Sequence, residues 1–247
     1  MNSKEWFVSW FDTTFYHLLY RERDDTEARK FIVNLLTHLK LPENSHVLDL
    51  ACGKGRHSIT LNELGMNVLG VDLSEQSISH AKQFENSKLH FRVQDMREPF
   101  DEEAFDCVFN LFTSFGYFEE EEENQKVLNG ISNMTKEGGI FVLDYLNAIT
   151  AVKNLVPHEE KEVDNVHFQI NRTFDGKFIR KQIDVTSCDD KHKFEEKVRG
   201  FSQEEIDNML KQAKLTPIEY FGDFKLNSFD ANESTRLIVI CKKDTRI

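Results

Sequence analysis

Residues 46–64, HVLDLACGKGRHSITLNEL, constrain the fold more than any other stretch of the chain. A short apolar run, HVLDLAC, gives way at once to GKG, and a helical pattern then runs from Ser58 to Leu64 before Gly65 stops it. This reads as strand, glycine turn, helix. The alternation continues with NVLGVDL and a helical Glu75 to Phe84, then KLHFRVQD, AFDCVFNLF, a helix from Glu119 to Thr135, and GGIFVLDYL. Strands alternating with helices predict a parallel sheet covered on both faces, wound by right-handed crossovers into an open Rossmann-like layer.

The flanks complete the plan. Glu27 to Leu39 carries apolar residues at helical spacing and is closed by Leu41-Pro42, so a helix leads into the first strand. Between Val163 and Phe201 the rhythm changes. VHFQINRTF and KFIRKQIDV alternate polar and apolar residues around Asp175-Gly176, and KFEEKVRGF supplies a third antiparallel strand. Ser202 with Glu205 then forms a capping box for a helix running to about Lys214, and LTPIEYF and TRLIVICKK are the last strands. The expected fold class is α/β: a Rossmann-like, seven-stranded, mostly parallel sheet with helices on both faces and a small antiparallel β insertion. Its expected parts are an N-terminal helical segment or lid over 1–40, a core over 41–155 and 202–247, and the insertion over 156–201.

Composition excludes several classes. A formal charge of −12 opposes the attraction by which proteins hold phosphate backbones, so no nucleic-acid partner is expected. No stretch approaches the roughly 18 apolar residues of a membrane span, and the first residues lack the pattern of a secretion signal. A cytoplasmic protein with no membrane partner is the expectation. The 4 cysteines form no CxxC pair and the 9 histidines no HExxH, so no metal is expected. The acidic run Glu119 to Glu123 reads as a solvated helix start, where the dipole favours negative charge.

The glycine turn carries the chemistry. Gly53 and Gly55 let a ligand approach the backbone, and Asp72, at the end of the next strand, lies where a carboxylate can accept from both ribose hydroxyls of a nucleoside. The third position of GxGxxG is Ser58, and the turn begins with Asp49. A carboxylate there repels a pyrophosphate but attracts the ammonium of S-adenosylmethionine (SAM), which disfavours a nicotinamide dinucleotide. No Walker A pattern surrounds Lys54.

VLDLACGKGRHS resembles motif I of class I SAM-dependent methyltransferases, GVDLS their acidic second strand, QDMR their adenine-contacting third, and FDCVFNLFTSFGYF their fourth strand and substrate-side loop. With the leading FYHLLYRERDD, the pattern is similar to the small-molecule N-methyltransferases that include amino-sugar N,N-dimethyltransferases. The resemblance implies that Ala51, Gly53 and Gly55 shape the methionine pocket and that Asp72 holds the ribose. Asp95 would accept from the adenine amine, Leu73 and Met96 would sandwich the ring, and the carbonyl of Asn110 or Leu111 would hold the ammonium. Tyr20 and Arg23 would close over the cofactor. Thr113, Ser114 and Tyr117 would border the methyl acceptor, Tyr117 orienting it, with Tyr145 and Asn147 as further contacts.

Bland roles stand beside these. Asp49 can satisfy backbone groups of its own turn, Leu73 and Met96 can be core, and Tyr20 and Arg23 can pair with surface carboxylates such as Asp24. Tyr145 can be core packing. His57 reads as a surface residue of the helix start and Cys52 as packing. The implied activity is methyl transfer to a small-molecule acceptor, with nitrogen favoured. The alternatives are a macromolecular acceptor, against which the absence of an NPPY-type pattern and of basic patches counts, and a SAM-binding partner subunit without catalysis. The insertion either roofs the pocket or forms the contact of a homodimer.

Overall fold

A computed structural model describes residues 5–21, 25–98, 105–188 and 190–245. Arg23 lies outside the described residues. The chain opens with two short helices, α1 (Trp6–Trp10) and α2 (Thr14–Leu19), followed by α3 (Asp25–Leu39). Strands and helices then alternate: β1 (His46–Leu50), α4 (Arg56–Glu63), β2 (Asn67–Asp72), α5 (Glu75–Ala81), β3 (Leu89–Val93), β4 (Phe105–Asn110), α6 (Glu121–Met134) and β5 (Thr135–Leu146). A short helix α7 (Ala148–Lys153) leads into β6 (His158–Val163), β7 (Val166–Phe174), β8 (Phe178–Ser187) and β9 (Asp190–Arg199). The chain ends with α8 (Gln203–Gln212), β10 (Leu215–Phe221) and β11 (Arg236–Lys243).

Seven strands form one sheet in the order β10-β11-β5-β4-β1-β2-β3. Strands β1 to β5 pair in parallel, and β11 runs antiparallel to both of its neighbours. Successive residues of a strand face opposite sides, so each central strand feeds two cores. Leu48, Val108, Leu143 and Val239 pack with Val127, Leu128 and Ile131 of α6 and with Ile206 and Leu210 of α8. Val47, Cys107, Val142 and Ile240 pack with Phe31, Ile32 and Leu35 of α3 and with Leu61 and Ile78 on the other side. No helix among the described residues is long and apolar enough to cross a membrane.

The insertion holds four strands rather than three, in the order β6-β7-β8-β9. The extra one, β6, reads HEEKEV and sits at the edge, where its exposed residues need no apolar alternation. Asp164 and Asn165, at φ 49° and 62°, make the two-residue turn to β7, a turn that needs positive φ at both positions. The core of this sheet is Phe168, Ile170, Ile183 and Val185, and it is closed by Trp10 of α1 and Leu19 of α2. The N-terminal segment and the insertion thus share one core. At the start of α8, the Ser202 side chain accepts from the Glu205 backbone N–H and the Glu205 side chain accepts from that of Ser202.

The acidic run is the exposed helix start that was expected, with Glu119 to Glu122 exposed, and it also carries ion pairs. Glu119 pairs with Lys197, Glu121 lies 3.6 Å from Arg199 and 3.8 Å from Lys177, and Glu123 is 2.9 Å from Arg97. Its charges therefore tie the start of α6 to the insertion as well as meeting the helix dipole.

Candidate active site

A cavity of about 1020 Å³ opens at the carboxyl ends of β1 to β4, where the crevice of an open α/β sheet is expected. Its floor is the turn after β1. Ala51, Gly53 and Gly55 all have positive φ, at 62°, 56° and 83°. The two glycines do different things. A Cβ on Gly53 would meet no atom within 4 Å, and Gly53 lines the cavity, so its missing side chain leaves open space for a ligand. A Cβ on Gly55 would sit 2.7 Å from the Phe91 ring, and Gly55 does not line the cavity. Its role is close packing of α4 on β3, and the expectation that it shapes the methionine pocket is corrected.

Two carboxylates stand on this floor. Asp72 accepts from the Gly53 N–H at 2.8 Å through one oxygen and from the Ser74 N–H at 2.8 Å through the other. Burial raises its pKa against the pull of these bonds. Asp49, 1% exposed, accepts from the Ser58 hydroxyl at 2.6 Å, and burial with the nearby Asp72 pushes it up to about 6. Both residues line the cavity, and both keep lone pairs beyond those bonds. Open backbone at Gly53 beside such carboxylates suits the ribose and ammonium groups of SAM.

Leu73, Asp95, Met96 and Leu111 also line the cavity. Leu73 and Met96 are also partly buried against the α6-side core, so each packs on one side and borders the cavity on the other. Asp95 is bonded by its near neighbour: the Arg97 backbone N–H donates at 2.8 Å, Nε at 3.1 Å and Nη2 at 2.6 Å. Asn110 does not reach the cavity. It is fully buried, and its amide donates to the Leu50 carbonyl at 3.1 Å and the Ser114 carbonyl at 3.3 Å, bracing the end of β1 against the loop after β4. The Asn110 side chain is thus spent on bracing, and of the two residues whose carbonyls were expected to hold the ammonium it is Leu111 that lines the cavity.

The loop after β4 forms one wall. Phe112 and Thr113 stand in the left-handed region at φ 56° and 61°, unusual for a bulky and a β-branched residue. Asp144, fully buried, holds them there: its Oδ2 accepts from the Phe112 N–H at 2.8 Å and its carbonyl from the Thr113 N–H at 2.9 Å. Arg236 completes the brace, donating to Asp144 at 2.7 Å and to Thr113 Oγ1 at 2.9 Å. Thr113, Ser114 and Tyr117 face the cavity. His57, expected at the surface, is 6% exposed with its ring 4.9 Å from Phe112, and burial lowers its pKa to about 3, which keeps it neutral. Cys52 is buried and its thiol is pushed up by that burial, as suits packing.

Two expected acceptor contacts are corrected. Tyr145 is fully buried among the α6-side core, with its hydroxyl donating to the Arg199 carbonyl. Asn147 caps α7, its side chain accepting from the Ile149 N–H and donating to the Ala231 and Ser234 carbonyls. Neither lines the cavity.

The roof comes from residues the sequence did not single out. Trp6, Phe11, Asp12, Tyr16 and His17 of the N-terminal segment line the cavity with Tyr20, and Glu196 and Val198 of β9 join them. Trp6 and Phe11 stand 5.2 and 5.6 Å from the Tyr117 ring. Glu196 ties segment to insertion by accepting from Trp10 Nε1 and from the Tyr20 hydroxyl, each at 2.7 Å. Tyr20 also contacts Lys181. No sequence pattern marks such pairs, because they join positions more than 150 residues apart.

The methyltransferase domain family model matches residues 41–214. Among curated proteins, the chain is 39% identical over 108 residues to YqeM of Bacillus subtilis, described as a methyltransferase, covering 42% of this chain and 43% of that one. It is 30% identical over 131 residues to the dTDP-3-amino-3,4,6-trideoxy-alpha-D-glucopyranose N,N-dimethyltransferase of Streptomyces venezuelae, covering 52% and 54%. The chain thus spans about half the length of the curated relatives it matches. A SAM-dependent methyltransferase from Clostridium acetobutylicum has the same fold, with a TM-score of 0.79 at 21% identity over 94% of this chain and 96% of that one. With the glycine turn, the strand-end carboxylates and the strand order all in agreement, the chain belongs to the methyltransferase domain family.

Proposed function

We propose that this chain transfers a methyl group from SAM to the nitrogen of a small molecule. The observation that carries the reading is the cavity itself, which runs from Asp72 and Asp95 to a chamber walled by Trp6, Phe11 and Tyr117 and roofed by Glu196 and Val198. A concave cavity walled by aromatic rings suits a small acceptor better than a nucleic-acid or protein surface. The Streptomyces venezuelae relative, by its name, methylates a sugar amine, which supports nitrogen as the acceptor.

SAM brings an activated methyl group on a good leaving group, so the protein's task is alignment and exclusion of water. Asp72 would hold the ribose, Gly53 would give the methionine chain room, and Asp49 would face its ammonium. Leu73 and Met96 would flank the adenine. On the acceptor side, Thr113, Ser114 and Tyr117 would orient a neutral amine, and the aromatic wall would keep the chamber dry.

Thermal-shift titration tests the cofactor: SAM and S-adenosylhomocysteine raise the melting temperature and NAD does not. In the same assay Asp72→Ala loses on the order of 2 to 3 kcal/mol of SAM affinity, as a charge-assisted pair of hydrogen bonds is removed. Unchanged affinity would place the ribose elsewhere. A panel of small amines, alcohols, protein and tRNA with methyl-labelled SAM then tests the acceptor. Label passing mainly to alcohols or macromolecules rules out small-molecule N-methylation.

A further inference from the structure

Arg97 joins three carboxylates from three separate parts of the chain. Nε and Nη2 donate to Asp95, Nη1 at 2.7 Å and Nη2 at 2.8 Å donate to Glu5, and Nη1 donates to Glu123 of α6 at 2.9 Å. All five N–H groups of the guanidinium therefore have a carboxylate partner. Its plane lies 4.7 Å from the Phe118 ring centroid and 5.8 Å from that of Phe7, two rings of the cavity wall. Arg97 and Asp95 side chains are only 17% and 20% exposed, so their charges meet where water screens them little. Burial raises the Asp95 pKa, but the bonds from Arg97 outweigh it and leave the carboxyl lowered and ionised.

Asp95 faces the cavity, whereas neither Arg97 nor Glu5 lines it. A carboxylate offers about four acceptor sites. Three donors of Arg97 occupy most of them and fix the plane of the group. Glu5 immediately precedes α1, whose Trp6 and Phe7 cover the cavity.

We propose that Arg97 is a positioning residue for the nucleoside: it aims the remaining acceptor site of Asp95 into the cavity and, through Glu5, makes closure of α1 part of the same equilibrium. The proposal rests on the SAM-binding reading above. It requires that Glu5, which touches no part of the cavity, strengthens nucleoside binding by way of Arg97, because coupling between two contacts of one group is reciprocal.

S-adenosylhomocysteine, titrated calorimetrically into the full chain, is the probe. Glu5→Gln weakens binding three- to tenfold and Arg97→Gln more than tenfold. The double variant binds no more weakly than Arg97→Gln alone, since the Glu5 contribution has no other route. The preference for S-adenosylhomocysteine over its inosine analogue, which lacks the adenine amine, narrows in Arg97→Gln, a change that loss of packing alone does not produce. The chain's 2 tryptophans both lie on α1, so the fluorescence change on binding reports closure and shrinks in Glu5→Gln. If Arg97→Gln does not fold, Glu5→Gln alone decides. Glu5→Gln affinity within twofold of wild type, or losses that add in the double variant, overturns the proposal while the cofactor reading stands. A wild-type chain that binds no S-adenosylhomocysteine overturns both.

Discussion

Asp49 shows how a cofactor site can work against the fold that carries it. Its carboxyl titrates near 6 in the folded chain, above the ordinary value, because burial disfavours the charge. A raised carboxyl adds stability that is fully present below about pH 4 and is lost as pH rises through the folded value near 6. At pH 8 the buried charge therefore costs on the order of 3 kcal/mol. Asp49→Asn keeps the shape and can still accept from Ser58, so it raises the stability of the unliganded chain at pH 8 by about that amount, with little change at pH 4. The same substitution weakens SAM binding. Urea denaturation at the two pH values with a SAM titration checks both signs, and a loss of stability at pH 8 sinks the argument. The glycines separate the same two demands. Gly53→Ala, whose Cβ enters open cavity, lowers SAM affinity and costs about 1 kcal/mol of backbone strain. Gly55→Ala meets Phe91 and costs stability more than affinity. If melting and SAM titration rank the two alike, the division of roles is wrong.

At the scale of elements, the central parallel strands β1 and β4 were legible because they are buried along nearly their whole length and read as apolar runs broken by a turn. β6 was not, since a half-exposed edge strand reading HEEKEV carries almost no apolar signal. Tyr145 and Asn147 were misread because the end of a parallel strand usually faces the crevice. Here strand alternation turns Tyr145 into the core beneath α6 and α8, and Asn147 begins a short helix. The cavity takes its floor from the turn after β1 and the end of β2, stretches whose pattern is local. Its roof and braces depend on tertiary pairs such as Trp10 with Glu196 and Arg236 with Asp144, which no local pattern encodes. The second of these pairs keeps Phe112 and Thr113 in their left-handed conformation, where each costs on the order of 1 to 3 kcal/mol. Arg236→Gln leaves Asp144 buried without its cation and should cost about 3 to 5 kcal/mol. The double variant Asp144→Asn with Arg236→Gln should lose much less than the sum of the single losses. Denaturation of all three gives the coupling directly, and strictly additive losses would falsify the brace.

Taken whole, the molecule has two kinds of core, and one short helix reaches both. The seven-stranded sheet is packed on both faces, while the four-stranded sheet packs on one, against Trp10 and Leu19. Helix α1 straddles them: Phe7 belongs to the core beneath the cavity and Trp10 to the core above it. On the proposed function, cofactor and acceptor would enter between these two bodies, and the cover would then have to loosen without unfolding the sheet below. That requirement predicts unequal stability. Trp10→Ala removes a fully buried ring and its bond to Glu196, a loss of about 3 to 5 kcal/mol if borne by one cooperative unit. It should fall on the cover alone, because opening free energies within a protein follow local packing. Hydrogen exchange should quicken at Phe168, Ile170 and Ile183 while the amides of β1, β4 and β5 keep wild-type protection. S-adenosylhomocysteine should slow exchange in the cover of the wild-type chain, since a ligand held between the two bodies penalises their separation. Exchange that quickens equally in both sheets would show a single cooperative unit, and entry to the cavity would then need another route.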